Sequence, residues 1–213
     1  MGLLPREEGD PPLIPLALRP EPSDFDVRVR RPGNDFLRVN PNPTNKQSRK
    51  KNYWTRCLPE LRTAYGCICA YSACWIPTRG TVDHYWPRSV RSDLAYEWNN
   101  FRLASELLNS HKGNSTSVAD PMHIQPGWFA LDFHSFYVVP GNGLPKEVRQ
   151  LVSMTITTLR LNRDDTLVDQ RFQIVAEYAK GDVSHQFLQR RYPFIAAELE
   201  RQGLIQAIKG TFC

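Results

Sequence analysis

The sequence predicts an α+β protein in which a strand-rich segment is followed by a helical region. Residues 67–86, CICAYSACWIPTRGTVDHYW, contain many β-branched and aromatic residues around a turn at Thr78-Arg79-Gly80, so a β-hairpin is predicted there. Beyond Gly143, apolar residues recur at the spacing of an α-helix, which predicts a helical C-terminal lobe. A hydrophobic content of 41% and a charged content of 23% are typical of a folded globular protein.

Prolines and cations dominate the beginning of the chain. The prolines of residues 1–24 exclude a helix and predict an extended arm. Residues 25–66 form a basic segment, in which Thr44 is expected to cap a helix over NKQSRKKNYWTRC and Pro59 to begin a second helix. Between residues 25 and 43, arginines alternate with apolar residues, and this pattern allows a short strand.

A core segment follows at residues 67–115, where the predicted hairpin leads into a helix. The stretch NNFRLASELLNSHKG has apolar residues at helical spacing. These residues are Phe101, Leu103 or Ala104, Leu107 and Leu108. The helix is predicted to end at Gly113, because glycine directly after a helix is a common stop signal.

The last segment, residues 116–213, is predicted to contain a hairpin and three helices. Residues 128–139, WFALDFHSFYVV, favour a second pair of extended strands. The three helices are expected to begin at Pro145, at Asp164 or Asp165, and at Ser184, and the last to end near Gly203. This lobe is expected to pack on the preceding core segment.

Charge and cysteine content indicate the kind of partner and compartment. A net charge of +5 favours a polyanion such as nucleic acid as the partner, although many proteins with this charge bind none. The five cysteines are an odd set without regular spacing, so we expect no disulfide framework. The sequence therefore predicts a protein of the reducing cytoplasm, with no membrane partner.

Residues 81–109 contain the side chains that phosphodiester hydrolysis requires. His84 can serve as the base that deprotonates water, since its unperturbed pKa lies near neutrality. Asp83 and Asn109 carry hard oxygen donors of the kind that Mg²⁺ or Mn²⁺ prefers. Asn100, at the start of the predicted helix, can cap that helix and bridge to the loop that carries His84.

The two stretches TVDHYWP and YEWNNFRLASELLNSHKG resemble the HNH endonucleases, which have a ββα-metal fold. The resemblance implies that Asp83 is a metal ligand, that His84 is the general base, that Asn100 is the middle Asn and that Asn109 is the final ligand. Lys112, in NSHKG, would face phosphate. The implied protein is a metal-dependent nuclease with a ββα-metal HNH core, a basic N-terminal arm and helix, and a helical C-terminal lobe.

The sequence departs from HNH proteins that carry a structural zinc bound by two cysteine pairs. The turn corresponding to the first pair reads Cys69-Ala70-Tyr71-Ser72, and the helix positions of the second pair are Ser105 and Leu108. Because a tetrahedral zinc site needs four nitrogen or sulfur ligands, we predict a zinc-less core in which apolar packing replaces the metal. Metal binding by Cys67, Cys69 and Cys74 is an alternative, although the sequence shows no fourth ligand at a suitable spacing.

A second, weaker resemblance extends downstream. YEWNNFRLA, the Asp120-Pro121 dipeptide and TITTLRLNRDDTLVDQR, residues 155–171, are similar to the small HNH subunit of Septu-type anti-phage defence systems, which works beside an ABC-like ATPase. This implies a defence nuclease that has an ATPase partner. The substrate is expected to be DNA, with RNA such as tRNA as an alternative.

Each candidate residue also has a structural interpretation. His84 could be a buried structural histidine, and Asn100 could be only a helix cap. A basic run could follow a phosphate backbone or could be the solvated face of a helix. Its residues are Arg49, Lys50, Lys51 and Arg56. Trp86 and Trp98 are expected to pack in the core. The chain could accordingly be a binding or assembly subunit that keeps the fold without chemistry.

Overall fold

The structure is a computed structural model that describes residues 17–209, apart from the side chains of Asn45 and Arg49. The fold is α+β, as predicted. The described chain contains helices and two antiparallel sheets of two strands each. Buried apolar residues from Phe25 to Ile208 form one continuous core cluster, so the N-terminal segment and the C-terminal helices share a core.

The first part of the basic segment is helical. A π-helical turn, Asp26–Arg30, runs directly into α1 (Arg31–Val39). Phe25 and Val29, four residues apart, lie on one side of this turn, and both are fully buried. The prediction of a short strand from the alternating arginines is therefore wrong. The two buried apolar residues, Phe25 and Val29, are spaced at the period of a helix.

Thr44 caps the next helix as predicted. Its side chain accepts a hydrogen bond from the backbone of Gln47, whose side chain bonds back to Thr44, and α2 (Asn45–Lys50) follows. The helix predicted to continue to Cys57 stops at Lys51, and a 3-10 turn, Tyr53–Cys57, precedes α3 (Leu58–Ala64). This break lets the chain bury Trp54 and Cys57 within the 3-10 turn.

The strand that carries the Asp-His pair does not pair with the residues before it. Strand β1 (Thr81–His84) pairs antiparallel with β2 (Phe101–Ala104), so the hairpin predicted within residues 67–86 is wrong. In that stretch an isolated bridge joins Ile68 to Trp75. Cys67 and Ala73 have φ values of 59° and 52°, which interrupt any continuous strand there.

The second half of the predicted helix is helical and the first half is not. Helix α4 (Glu106–Lys112) begins after Ser105, whose side chain accepts a hydrogen bond from the backbone of Leu108. Residues 101–104 form β2 instead, because Phe101 and Leu103 alternate at the strand period. Gly113 ends α4 with a positive φ of 51°, as predicted.

The C-terminal segment follows the prediction closely. The second hairpin is formed by β3 (Phe129–Asp132) and β4 (Tyr137–Pro140). The helices after it are α5 (Lys146–Thr158), α6 (Asp165–Lys180), α7 (His185–Arg191), α8 (Pro193–Arg201) and α9 (Leu204–Ala207).

Capping residues account for these helix boundaries. Asp164 and Ser184 cap α6 and α7 with their side chains, as predicted, and Gly181 ends α6 in the left-handed conformation. The third predicted helix is divided at Tyr192, because Pro193 cannot continue the hydrogen bonding of α7 and begins α8 instead. No helix within residues 17–209 is long and apolar enough to cross a membrane.

Candidate active site

The pairing of β1 with β2 determines which face of this two-stranded sheet each candidate side chain lies on. Side chains alternate along a strand, so Asp83 shares a face with Thr81, and His84 lies on the opposite face with Val82. Helix α4 contacts the Asp83 face. The two neighbouring residues Asp83 and His84 therefore meet different surroundings.

Asp83 lies at the centre of a buried hydrogen-bonded group. Both of its carboxylate oxygens lie 3.1 Å from the ammonium nitrogen of Lys112, and the hydroxyl of Tyr71 donates to Oδ2. Lys112 also donates to the backbone oxygen of His84 at 2.7 Å. The Lys112 side chain has no exposed surface, and only 3% of the Asp83 side chain is exposed. The ammonium of Lys112 is thus bound inside the protein, and its contact with a phosphate stays a prediction.

Burial sets the electrostatics of this group. Removal from water raises the pKa of Asp83, while the charge of Lys112 and the hydrogen bond from Tyr71 act in the opposite direction. Burial, followed by the charge of Asp83, raises the pKa of Tyr71 well above its ordinary value, so the phenol stays protonated and donates. A buried ion pair of this kind is costly to break by removing one partner.

Asn109 lies one helical turn before Lys112 on the same face of α4. Its amide nitrogen donates to the Thr81 hydroxyl at 3.4 Å. Thr81 is two residues before Asp83 on the same face of β1, so the amide of Asn109 approaches β1 beside the carboxylate that it was predicted to join. Asp83 and Asn109 thus lie on the two surfaces where β1 and α4 pack together. The α4 residue that contacts Asp83 directly is Lys112.

His84 packs on the other face in an apolar environment. Its ring lies edge-on to Trp54 and Phe101, with centroid distances of 5.0 and 5.2 Å. Nε2 lies 2.9 Å from the backbone oxygen of Ala95, which can only accept, so Nε2 carries the hydrogen and Nδ1 is the nitrogen that can accept a proton. Burial, with the nearby charge of Arg88, lowers the pKa of His84 to about 3.

Asn100 fixes the loop that joins the two strands. It lies in a 3-10 turn before β2, and not at the start of a helix, so the predicted helix cap is wrong. The predicted bridge to the His84 loop is present. Asn100 Oδ1 accepts from the backbone nitrogen of Trp86 at 2.8 Å, and Nδ2 donates to the backbone oxygens of Trp86 and Leu94 at 3.1 and 3.0 Å.

Two arginines near the candidate residues were missed by sequence reasoning. Arg102, opposite Asp83 in the sheet, forms a buried double hydrogen bond with Asp120 at 2.9 and 2.7 Å. The guanidinium of Arg88 stacks over the Trp54 ring at 4.4 Å. Period-two alternation in FRLA could have placed Arg102 beside Asp83, but no local signal indicates that Arg88 folds back onto Trp54.

The basic run lies outside this group of residues. Lys50, Lys51 and Arg56 are exposed, and Arg56 also stacks over Tyr53 and donates to the backbone of Arg28. The side chain of Arg49 lies outside the described residues. Their role in nucleic-acid binding stays a prediction.

The positions that the HNH resemblance assigned to the lost zinc ligands have structural roles in this protein. Ser105 caps α4 and Leu108 is fully buried in the core. Cys69 accepts a weak hydrogen bond from the backbone of Ser105 at 3.5 Å, and burial raises the pKa of Cys74 to about 12. Across residues 17–209, no three histidine, cysteine, aspartate or glutamate side chains are grouped to hold a metal ion.

Comparison with known proteins gives no family assignment: no protein-family model matches the chain, and a search of curated proteins finds no match.

Proposed function

We propose that this protein is a metal-dependent endonuclease of the HNH type with a ββα-metal core. The observation that carries the proposal is the order β1, β2, α4, with Asp83 and His84 ending β1 and with Asn109 and Lys112 on the face of α4 that packs against β1. Asp83, His84 and Asn109 were selected from the sequence by their side-chain chemistry and by the resemblance to HNH endonucleases, and Lys112 by that resemblance. Their convergence on one small element supports a shared chemical role.

A divalent cation fits the donor types that converge on this face. The Asp83 carboxylate and the Asn109 side-chain oxygen are hard ligands that would hold Mg²⁺ or Mn²⁺. When bound, such a cation would neutralise charge that develops on a phosphate during hydrolysis. The ammonium of Lys112 competes for the same carboxylate. We therefore expect weak cation binding by the free protein, strengthened when a phosphate adds further oxygen ligands.

His84 is assigned the role of the base. Its hydrogen bond to Ala95 fixes the ring and leaves Nδ1 to take a proton from the attacking water. Because burial lowers the pKa of the ring to about 3, this role requires the negative charge of a bound phosphate to make the ring more basic. Asn100 is a positioning residue, because it holds the loop between Trp86 and Leu94 against which the ring is oriented. Neighbouring residues of a strand lie about 3.3 Å apart along it. Because the side chains of Asp83 and His84 point to opposite faces of β1, the proposal requires the phosphate to lie at the end of the strand, between the two faces.

A second candidate is a binding or assembly subunit that does no chemistry. One observation favours it: Lys112 and Tyr71 already satisfy the Asp83 carboxylate inside the fold. In this case the Asp83 group would be a structural ion pair, and His84 a buried aromatic residue of the core. The two candidates make opposite predictions for cleavage.

We also propose that the nuclease is an effector of a prokaryotic anti-phage system and works with an ABC-like ATPase. The support is the resemblance carried by YEWNNFRLA and residues 155–171. Residues 155–171 lie at the end of α5 and the beginning of α6. Co-purification with an ATPase encoded beside it would support this partner, and failure of the two proteins to associate would contradict it.

Cleavage by the full chain tests the proposed function. Plasmid DNA and total tRNA are incubated with wild type or with His84→Ala, in Mg²⁺, Mn²⁺ or EDTA, with and without a neighbouring ATPase. We expect metal-dependent cleavage that His84→Ala abolishes and that His123→Ala, at a histidine with 82% exposure, leaves intact. If no condition gives cleavage while both proteins are folded and bind nucleic acid equally, the assembly subunit is the better account.

A further inference from the structure

We propose that Trp86 is a stacking platform for an unpaired nucleobase, so that the substrate of the proposed nuclease is single-stranded nucleic acid at the point of cleavage. This inference rests on the proposed function and names its substrate class. It depends on three features of the loop between β1 and β2: an exposed indole, a fixed backbone and a basic residue two positions further along the chain.

The exposed indole is contrary to the sequence-based expectation. Trp98 is buried as predicted, but 38% of Trp86 is exposed, so its prediction as a core residue is wrong. A single exposed apolar side chain is common on protein surfaces and needs no explanation by itself. Trp86, however, is two residues after His84, and its ring packs against the Tyr85 ring at a centroid distance of 5.4 Å and an interplanar angle of 70°.

The backbone that carries this ring is held in place. Asn100 bonds both the nitrogen and the oxygen of Trp86, and the Asn100 side chain is itself buried. The backbone oxygen of Asn100 also accepts from Tyr85 at 2.9 Å. The exposed indole therefore stands on an ordered segment, and it can bind a planar ligand without the entropic cost of ordering a mobile loop.

A basic residue follows Trp86 closely on the same loop. Arg88 follows Trp86 by two residues and stacks on Trp54, which in turn packs against His84. An aromatic side chain and a basic residue on one loop match the two parts of a nucleotide, a base and a phosphate. The net charge of +5 favours the same class of ligand.

The geometry of nucleic acids then indicates that the ligand is single-stranded and not duplex. In a duplex the faces of the bases are covered by their neighbours, whereas an unpaired base offers a free face to an aromatic side chain. Single-stranded DNA and RNA share this chemistry, so both are tested. The proposal requires that Trp86 contributes to binding of single strands and not of duplex.

Binding in EDTA, where no cleavage occurs, tests the proposal with the full chain. Fluorescence anisotropy is measured with labelled oligothymidylate, oligouridylate and a DNA duplex of equal length. We expect Trp86→Ala to weaken single-strand binding ~5- to 150-fold, the range that loss of one base stack produces. Trp86→Phe should retain most of the affinity, and duplex binding should be unchanged in both variants.

Tyr137→Ala is the matched control, because it removes an aromatic side chain of similar exposure, 44%, from the distant strand β4. It should bind every probe as wild type does, and thermal melting should show that each variant is folded. Equal single-strand affinity of wild type and Trp86→Ala would overturn the stacking role and leave the nuclease proposal standing. Absence of binding to every probe by wild type would also overturn the stacking role, and the cleavage assay in Mg²⁺ or Mn²⁺ would then decide the nuclease proposal separately.

Discussion

At the scale of single residues, the Asp83–Lys112 pair is the most consequential feature of the candidate site. A carboxylate predicted to hold a cation is held by an ammonium inside the protein, with no exposed surface on Lys112. The sequence indicated both residues as candidates, since both belong to the stretches that resemble HNH endonucleases. It did not indicate that they bind each other, because the contact joins β1 to a helix 29 positions later and depends on the fold.

Replacing Lys112 with methionine tests whether a cation can take the place of the ammonium. Lys112→Met keeps much of the packing but leaves Asp83 buried without its charge partner, and we expect a loss of about 3–5 kcal/mol of unfolding free energy in EDTA. Millimolar Mg²⁺ should raise the melting temperature of this variant more than that of wild type. Adding Asp83→Asn to Lys112→Met should remove the metal effect. An equal metal shift in all three proteins would contradict a cation site at Asp83.

The burial of His84 predicts a pH dependence of stability. The folded-state pKa of about 3 lies below the ordinary 6.5, so the unfolded chain binds a proton that the native ring resists. The stability contributed by His84 is complete above pH 6.5 and is lost as the pH falls toward 3, with a slope of up to about 1.4 kcal/mol per pH unit. Urea unfolding of wild type and His84→Gln between these limits measures the difference. Parallel pH profiles for the two proteins would rule out a buried neutral His84.

At the scale of elements, helix caps were predictable and strand pairing was not. Thr44, Asp164 and Ser184 each cap the helix that the sequence assigned to them, because a cap is a contact between residues two or three positions apart. Strand β1 was assigned to the wrong partner, since pairing with β2 spans the loop between them. The predicted helix was also too long and included the residues of β2, because a short run of apolar residues fits both the helical and the strand period.

Two serine caps provide a matched comparison between helices. Ser105→Ala removes the cap of α4, and Ser184→Ala removes that of α7. Each substitution should cost about 1 kcal/mol of unfolding free energy, measured by denaturant titration. In cleavage assays only Ser105→Ala should lower the rate, because α4 carries Asn109 and Lys112 while α7 carries no candidate residue. A similar loss of activity in Ser184→Ala would show that stability alone controls the rate.

At the scale of the whole molecule, the fold class followed from composition and periodicity. One apolar core joins the first described helices to the C-terminal lobe. The helical lobe was predicted well, since its amphipathic helices carry their own start and stop signals. The candidate site could be predicted as a set of residues, but its contacts could not. Those contacts depend on how α4 and the loop after His84 pack against the sheet of β1 and β2. Residues far apart in the sequence determine this packing.

The most direct test of the proposed nuclease compares cleavage rates across a matched panel in Mg²⁺. Asp83→Ala, His84→Ala and Asn109→Ala remove the candidate residues, and Asp93→Ala, His123→Ala and Asn114→Ala remove exposed residues of the same types. We expect each candidate variant to lose at least ~100-fold in rate, and double variants to lose little more than the worst single variant, because the residues act as a unit. The exposed controls should cleave as wild type does. Equal rates in both groups, with all proteins folded, would contradict the account.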